Sequence, residues 1–381
     1  MLYFASIAIS TYLFILLAVK PHKTTAEKLL MVWQLLATLH LVDIYLQVSG
    51  DYRHLPGLIG WGALLALVHG PFLYLYILHL TTQQKFDKKK LLHFLPVAVL
   101  YLLWWSFLVQ GPKQKLPLYE HGFSTSYYKT LAVVTNISII VSGVAYVIAS
   151  GILLHRYKKK INEAFSNTDK ISLNWLRYLI VGIAGIWLFV IFYQTPETIY
   201  ISASLYICFI GFFGVRQQQL FKPSLSSFPT ADTALEDTQN EVLPTAMPQE
   251  KLLQDKIKYE WSSLTADDAG RILEQLNGVM KTEKLYKDAE LTLGRLAETL
   301  QIKEAMLSQV INSRFNKSFY DYINSLRVAE CIKMMNEEKN KNYTLLSIAF
   351  DCGFNSKSSF NRNFRKFTGK SPSEFLQNPS A

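Results

Sequence analysis

Two groups of residues in this sequence have types and spacings that can do chemistry. The first lies in apolar surroundings. His40 and Asp43 stand three positions apart, and His69 and His79 follow in the next apolar stretch. A separation of three puts two side chains on one helical face. Histidine beside a carboxylate can hold a metal or move a proton, which would suit an intramembrane hydrolase. The same residues can equally form a hydrogen-bonded pair inside a bundle, or line a ligand pocket. No ligand set with catalytic-zinc spacing accompanies them. Cys208, Cys331 and Cys352 form no CxxC pair and read as small buried hydrophobes. His40, Asp43 and His69 are therefore carried as a polar site, with no metal, cofactor or catalytic residue assigned.

The second group lies near the C-terminus. Leu345 to Cys352 reads as a short helix capped by Thr344, followed by Gly353-Phe-Asn-Ser356 and a second helix from Lys357. Ala349 lets two helices cross closely, and Gly353 accepts a left-handed turn. This is the pattern of a helix-turn-helix. In its second helix Phe360, Phe364 and Phe367 form a buried stripe at i, i+4 and i+7. Lys357, Ser358, Asn361, Arg362, Arg365 and Lys366 occupy the other faces. Those are donors for base edges and cations for phosphates, as a helix in a major groove requires.

A second copy lies upstream. The stretch 293–300 is a helix candidate containing Ala297, the counterpart of Ala349. The stretch 304–313 would be its reading helix, burying Leu307, Val310 and Ile311 and exposing Glu304, Ala305, Ser308, Gln309 and Asn312. Its turn is irregular, with Gln301 where glycine is expected and Lys303 where a capping serine is expected. Phe319 to Asn336 reads as one amphipathic helix between the copies. Further upstream, Thr265-Ala-Asp-Asp268 fits a capping box that opens another amphipathic helix.

These elements belong to a chain of uneven composition. Of 381 residues, 50% are apolar and only 18% charged, and mean hydropathy is +0.14. Up to Val215 there are 17 Lys/Arg and 8 Asp/Glu; the rest holds 22 and 21. This excludes a single soluble globule, a disordered chain and a disulfide scaffold. Seven apolar stretches, 2–19, 29–49, 55–80, 91–110, 131–155, 175–193 and 198–215, precede Arg216. Most approach the ~20 residues that cross a bilayer as a helix. No Lys or Arg precedes the first, so it reads as an uncleaved span. The connections alternate in charge: one set carries 14 Lys/Arg and the other 4. The positive-inside rule then places the N-terminus outside and everything after Val215 in the cytoplasm. The longest external connection, 111–129, is too short for a sensor domain. Trp104, Trp105, Tyr127 and Tyr128 read as interfacial anchors. Residues 223–250 carry four prolines, five acidic residues and no Lys or Arg, the composition of a disordered tether.

The C-terminal motifs resemble the DNA-binding domain of the AraC/XylS family of bacterial transcription regulators over about 285–376. The carrying residues are Leu307-Ser-Gln-Val-Ile-Asn312, Phe319-Tyr-Asp-Tyr-Ile-Asn-Ser-Leu-Arg-Val-Ala329 and the run from Ile348 to Pro372. The resemblance implies an all-helical domain with two helix-turn-helix units joined by a long helix, both reading helices entering successive major grooves. It implies base contacts by Ala305, Ser308 and Gln309 in the first unit and by Lys357, Ser358 and Arg362 in the second. Phosphate contacts fall to Arg314, Lys317, Arg365 and Lys366. From Leu291 onward 13 Lys/Arg face 8 Asp/Glu, which suits phosphate binding.

The expected fold class is all-α. A seven-helix transmembrane bundle (1–216) precedes an acidic linker (217–250) and a cytoplasmic DNA-binding domain (251–381). The expected function is a one-component transcription regulator anchored in the cytoplasmic membrane. Its expected partners are double-stranded DNA, the lipid bilayer, RNA polymerase, a second copy of the chain, and a small-molecule or protein signal. The competing reading is a membrane enzyme or transporter whose C-terminal domain only docks.

Overall fold

The computed structural model describes residues 2–82, 86–123, 125–169, 173, 175–193, 195–216, 265–340 and 342–377. The linker expected over 217–250 lies outside them. Among the described residues every regular element is helical, apart from a bridge between Phe165 and Thr292. The chain divides into two compact units: Met1–Tyr157 with Leu173–Phe228, and Lys158–Ser172 with Pro229–Ala381.

The first unit contains α1 (Leu2–Val19), α2 (Thr25–Ser49), α3 (His69–Thr82), α4 (Leu95–Leu108), α5 (Pro112–Glu120), α6 (Ser126–Ala164, whose last turns belong to the second unit), α7 (Trp175–Phe192) and α8 (Pro196–Arg216). Each apolar stretch of the sequence carries a helix. Among the described residues five helical stretches are long and apolar enough to cross a membrane: Thr25–Ser49, Ala63–Thr82, Lys88–Leu108, Ser126–Ala164 and Trp175–Phe192. Phe4–Val19 and Glu197–Phe209 are shorter apolar helices. Large apolar side chains such as Val19, Leu102, Val181 and Phe192 face outward.

Local chemistry sets the boundaries. α2 starts at a capping box in which Thr24 Oγ1 accepts from the Glu27 amide and Glu27 accepts from the Thr24 amide at 2.9 Å. It stops at Gly50, whose φ is +81°. The stretch 55–62, read as part of one span, instead makes short 3-10 turns. Pro56, Gly57, Gly60 and Gly62 disfavour an α-helix there, so a 3-10 helix forms from Ala63 and the α-helix starts only at His69. The connection 111–129 is not merely a loop either. It holds α5, and Lys115 is buried, donating to the carbonyls of Gly57 at 2.9 Å and Ile59 at 3.3 Å. Of the four expected interfacial aromatics, Trp105 and Tyr127 are exposed. Trp104 turns inward, donating to Thr135 Oγ1 at 2.9 Å and stacking on Tyr128.

The second unit adds α9 (Ala266–Thr282), α10 (Leu293–Thr299), α11 (Glu304–Phe315), α12 (Phe319–Asn336), α13 (Leu345–Asp351), α14 (Lys357–Thr368) and α15 (Pro372–Gln377). Thr265 Oγ1 caps α9 by accepting from the Asp268 amide at 3.1 Å, and it donates to the Asp268 carboxylate at 2.7 Å. Two cores form. Leu276, Leu296, Leu307, Val310, Ile311 and Ile323 centre the first. Val328, Cys331, Ile348, Ala349, Phe360 and Phe364 centre the second. α12 contributes its first half to one core and its second half to the other.

Candidate nucleic-acid interface

α13 and α14 form the second helix-turn-helix. Thr344 caps α13 by accepting from the Ser347 amide, and Ser356 caps α14 by accepting from the Ser359 amide, both at 3.1 Å. Gly353 stands between them at φ +93°, and a Cβ there would lie 2.7 Å from the Lys287 carbonyl oxygen. Only glycine meets both demands. Ala349 is fully buried at the crossing. Phe360 and Phe364 are buried and Phe367 partly so, while Lys357, Ser358, Arg362, Arg365 and Lys366 are exposed. The buried stripe and the opposite donor-rich face fall as the spacing required.

The first helix-turn-helix has the same turn. Amides of Leu300, Gln301 and Ile302 donate to the carbonyls of Leu296, Glu298 and Ala297. Amides of Cys352, Gly353 and Phe354 donate to those of Ile348, Phe350 and Ala349 in the same order. Gln301 therefore takes the left-handed role of Gly353, at φ +55°. Lys303 occupies the cap of α11 without a side-chain capping bond. Ala297, Leu307, Val310 and Ile311 are buried. Ala305 and Arg314 are exposed, and Ser308, Gln309 and Lys317 are half-buried.

Among the cations expected on phosphates, two have partners within the domain. Lys366 Nζ donates to Asp321 at 2.6 Å, and Lys317 Nζ to Ser325 Oγ at 3.0 Å. Both ammoniums lie over the ring of Phe367. Arg362 donates to the Tyr320 hydroxyl and to Asp169, each at 3.0 Å. Asn363 donates to the same Tyr320 hydroxyl at 2.8 Å.

Motif reading passed over Arg327. Its guanidinium is buried and donates to the carbonyls of Tyr286 at 2.7 Å, Asp288 at 2.8 Å and Ser166 at 3.3 Å. It also meets Asn324 Oδ1 and Ser166 Oγ, and it lies 5.9 Å from the Phe354 ring centre. Burial lowers its pKa to about 10, so it stays charged at neutral pH. The only sequence signal was an arginine at an apolar position of α12. Nearby, Glu330 accepts from Lys284 at 2.9 Å and Tyr286 at 3.2 Å, and pairs with Lys287 at 2.9 Å. Burial would raise its pKa, but the two ammoniums win and hold it at about 2.

In the first unit the polar residues sort differently from their spacing. His40 Nδ1 lies 2.8 Å from His69 Nε2, and the Trp33 indole donates to His69 Nδ1 at 3.0 Å. Asp43 instead accepts from Gln47 at 2.7 Å. His79 is buried near Lys90 and Phe86. Among the described residues no group of three or more His, Cys, Asp or Glu is placed to hold a metal. A further polar set, unread in the sequence, joins α1 and α2: Gln34 and Thr38 both meet Ser10 Oγ, at 2.6 and 2.8 Å.

The fold and face of α13 and α14 define a DNA-binding helix-turn-helix protein. Residues 296–378 match a family model described as a helix-turn-helix domain. These residues are an AraC-type helix-turn-helix domain. No curated protein and no solved structure matches the chain.

Proposed function

We propose that the chain is a membrane-anchored one-component transcription regulator. Its helix-turn-helix units bind double-stranded DNA sequence-specifically, and its apolar N-terminal helices sit in the cytoplasmic membrane and receive a signal. The observation that carries the DNA reading is α14. One capped helix buries Phe360 and Phe364 and presents Lys357, Ser358, Arg362, Arg365 and Lys366 to solvent. In this reading Lys357, Ser358 and Arg362 meet base edges, joined by Ala305, Ser308 and Gln309 of α11. Arg314, Lys317, Arg365 and Lys366 meet phosphates. Five helical stretches of spanning length and two shorter apolar helices, with outward-facing apolar side chains, support membrane residence. The lysine-rich connections support a cytoplasmic DNA-binding domain. RNA polymerase and a second copy of the chain are the protein partners this function calls for. The His40–His69–Trp33 group is the proposed place where a signal is felt inside the bundle.

The test is genome-wide DNA occupancy of tagged full-length protein in its native cells, beside the Lys357→Ala, Arg362→Ala variant. Discrete promoter peaks that vanish in the variant are expected. Arg362→Ala alone should cost ~1–3 kcal/mol and relax preference at one base position. Unchanged sequence preference in that variant would sink the assignment.

A further inference from the structure

Residues 158–172 belong to the same compact unit as the helix-turn-helix domain, although more than ninety residues of chain separate them from α9. They enter it through a built joint. Phe165 bridges to Thr292, and Ser166 is almost wholly buried. The Ser166 hydroxyl donates to the Leu291 carbonyl at 2.6 Å, and its own carbonyl accepts from Asn324 at 3.0 Å. Three residues on, Asp169 reaches the second reading helix. Its carboxylate accepts from Ser356 Oγ at 2.5 Å and from the Arg362 guanidinium at 3.0 Å.

That position has a meaning for DNA. Ser356 is the N-cap of α14, and a helix N-terminus attracts an anion. A carboxylate there, bridged to an arginine, makes the contacts a backbone phosphate makes with a recognition helix. Half of the Arg362 side chain remains exposed, and the pair is reached by water. Such a pair is weak enough to be exchanged for a phosphate or a guanine edge.

We propose that Asp169 is an autoinhibitory latch: a phosphate-mimicking carboxylate that occupies Ser356 and Arg362 until DNA or a signal displaces it. The latch rests on the DNA-reading role proposed for Arg362. Its segment follows α6 directly in the chain, so a signal acting on α6 has a covalent route to the reader. With Asp169 seated, Arg362 is committed and a negative charge stands where DNA must approach. With Asp169 withdrawn, both are released.

The test uses full-length protein in lipid nanodiscs and a fragment library of the native genome, with affinities measured on the fragments enriched. Asp169→Ala should tighten binding by about 1.5- to fivefold, the range of one part-exposed charge pair. Asp169→Asn, which keeps the shape of the side chain and one acceptor oxygen but loses the charge, should tighten it by less. Both effects should shrink in an Arg362→Ala background, where only Ser356 is left to hold the carboxylate. Unchanged or weaker binding by Asp169→Ala and Asp169→Asn overturns the latch and makes Asp169 a structural contact. If no protein in the set prefers any fragment over competitor DNA, the DNA-reading function itself fails, and the latch with it.

Discussion

Glu330 shows how one residue ties stability to pH in the helix-turn-helix domain. Its carboxyl is held at about 2, below the 4.5 of an unperturbed glutamate, by Lys284 and Lys287. A depressed carboxylate stabilises the fold at every pH above its unfolded value. That contribution is lost as pH falls from about 4.5 towards about 2. Both lysines are a third or more exposed, so water screens the pair and about 1–2 kcal/mol is a fair magnitude. Glu330→Gln should therefore lower the urea midpoint at neutral pH, and the gap to wild type should close by about pH 2. A gap that persists undiminished in acid would show that the charge is not what stabilises. Residue types alone also hid pairings. His40 and Asp43 were placed on one face by spacing, but distance gives His40 to His69 and Asp43 to Gln47. Partners across helices are tertiary facts that a one-dimensional pattern does not carry.

At the scale of elements, the two turns make a controlled comparison. Both adopt the same hydrogen bonding, one with Gly353 and one with Gln301 at positive φ. A side chain in the left-handed region costs about 1–2 kcal/mol. Gln301→Gly should therefore stabilise the domain by about 0.5–1 kcal/mol once glycine's extra unfolded entropy is subtracted. Gly353→Ala should destabilise it by more, since its Cβ would meet the Lys287 carbonyl oxygen at 2.7 Å. Thermal unfolding of both variants checks the pair, and a destabilised Gln301→Gly would refute the strain argument. Helices, caps and the buried and exposed faces from α10 to α14 were legible because local rules govern them. Ser and Thr caps, a Phe stripe and a turn glycine are each decided within a few residues. The short turns over 55–62 and helix α5 were less legible. There apolar composition said membrane while Pro and Gly said turn, and only packing, with Lys115 buried against Gly57 and Ile59, settled the outcome.

At the scale of the whole molecule, the topology makes a separate prediction. In a background without the native cysteines, Lys113→Cys should react with a membrane-impermeant maleimide in intact cells. Lys88→Cys should react only after the membrane is opened. The reverse pattern would invert the orientation and strand the DNA-binding domain outside the cell. The charge asymmetry of the connections was readable from lysines and arginines alone, because the rule needs no structure. The joint made by residues 165–169 was not. A buried serine and one aspartate in a short polar connection carry no signature until the helix-turn-helix domain folds around them.

Arg327 has a consequence for how the two helix-turn-helix units melt. Tandem copies of a motif can unfold one at a time, as stacked repeats do when each contacts only its neighbours. Here a single buried cation is common property: it holds the Tyr286 and Asp288 carbonyls beside the first unit and lies against Phe354 of the second. Melting of the first unit would take away those two carbonyls, and melting of the second would take away the ring, so the loss of either one weakens the hold on the other. One guanidinium couples the two copies of the motif into a single cooperative fold.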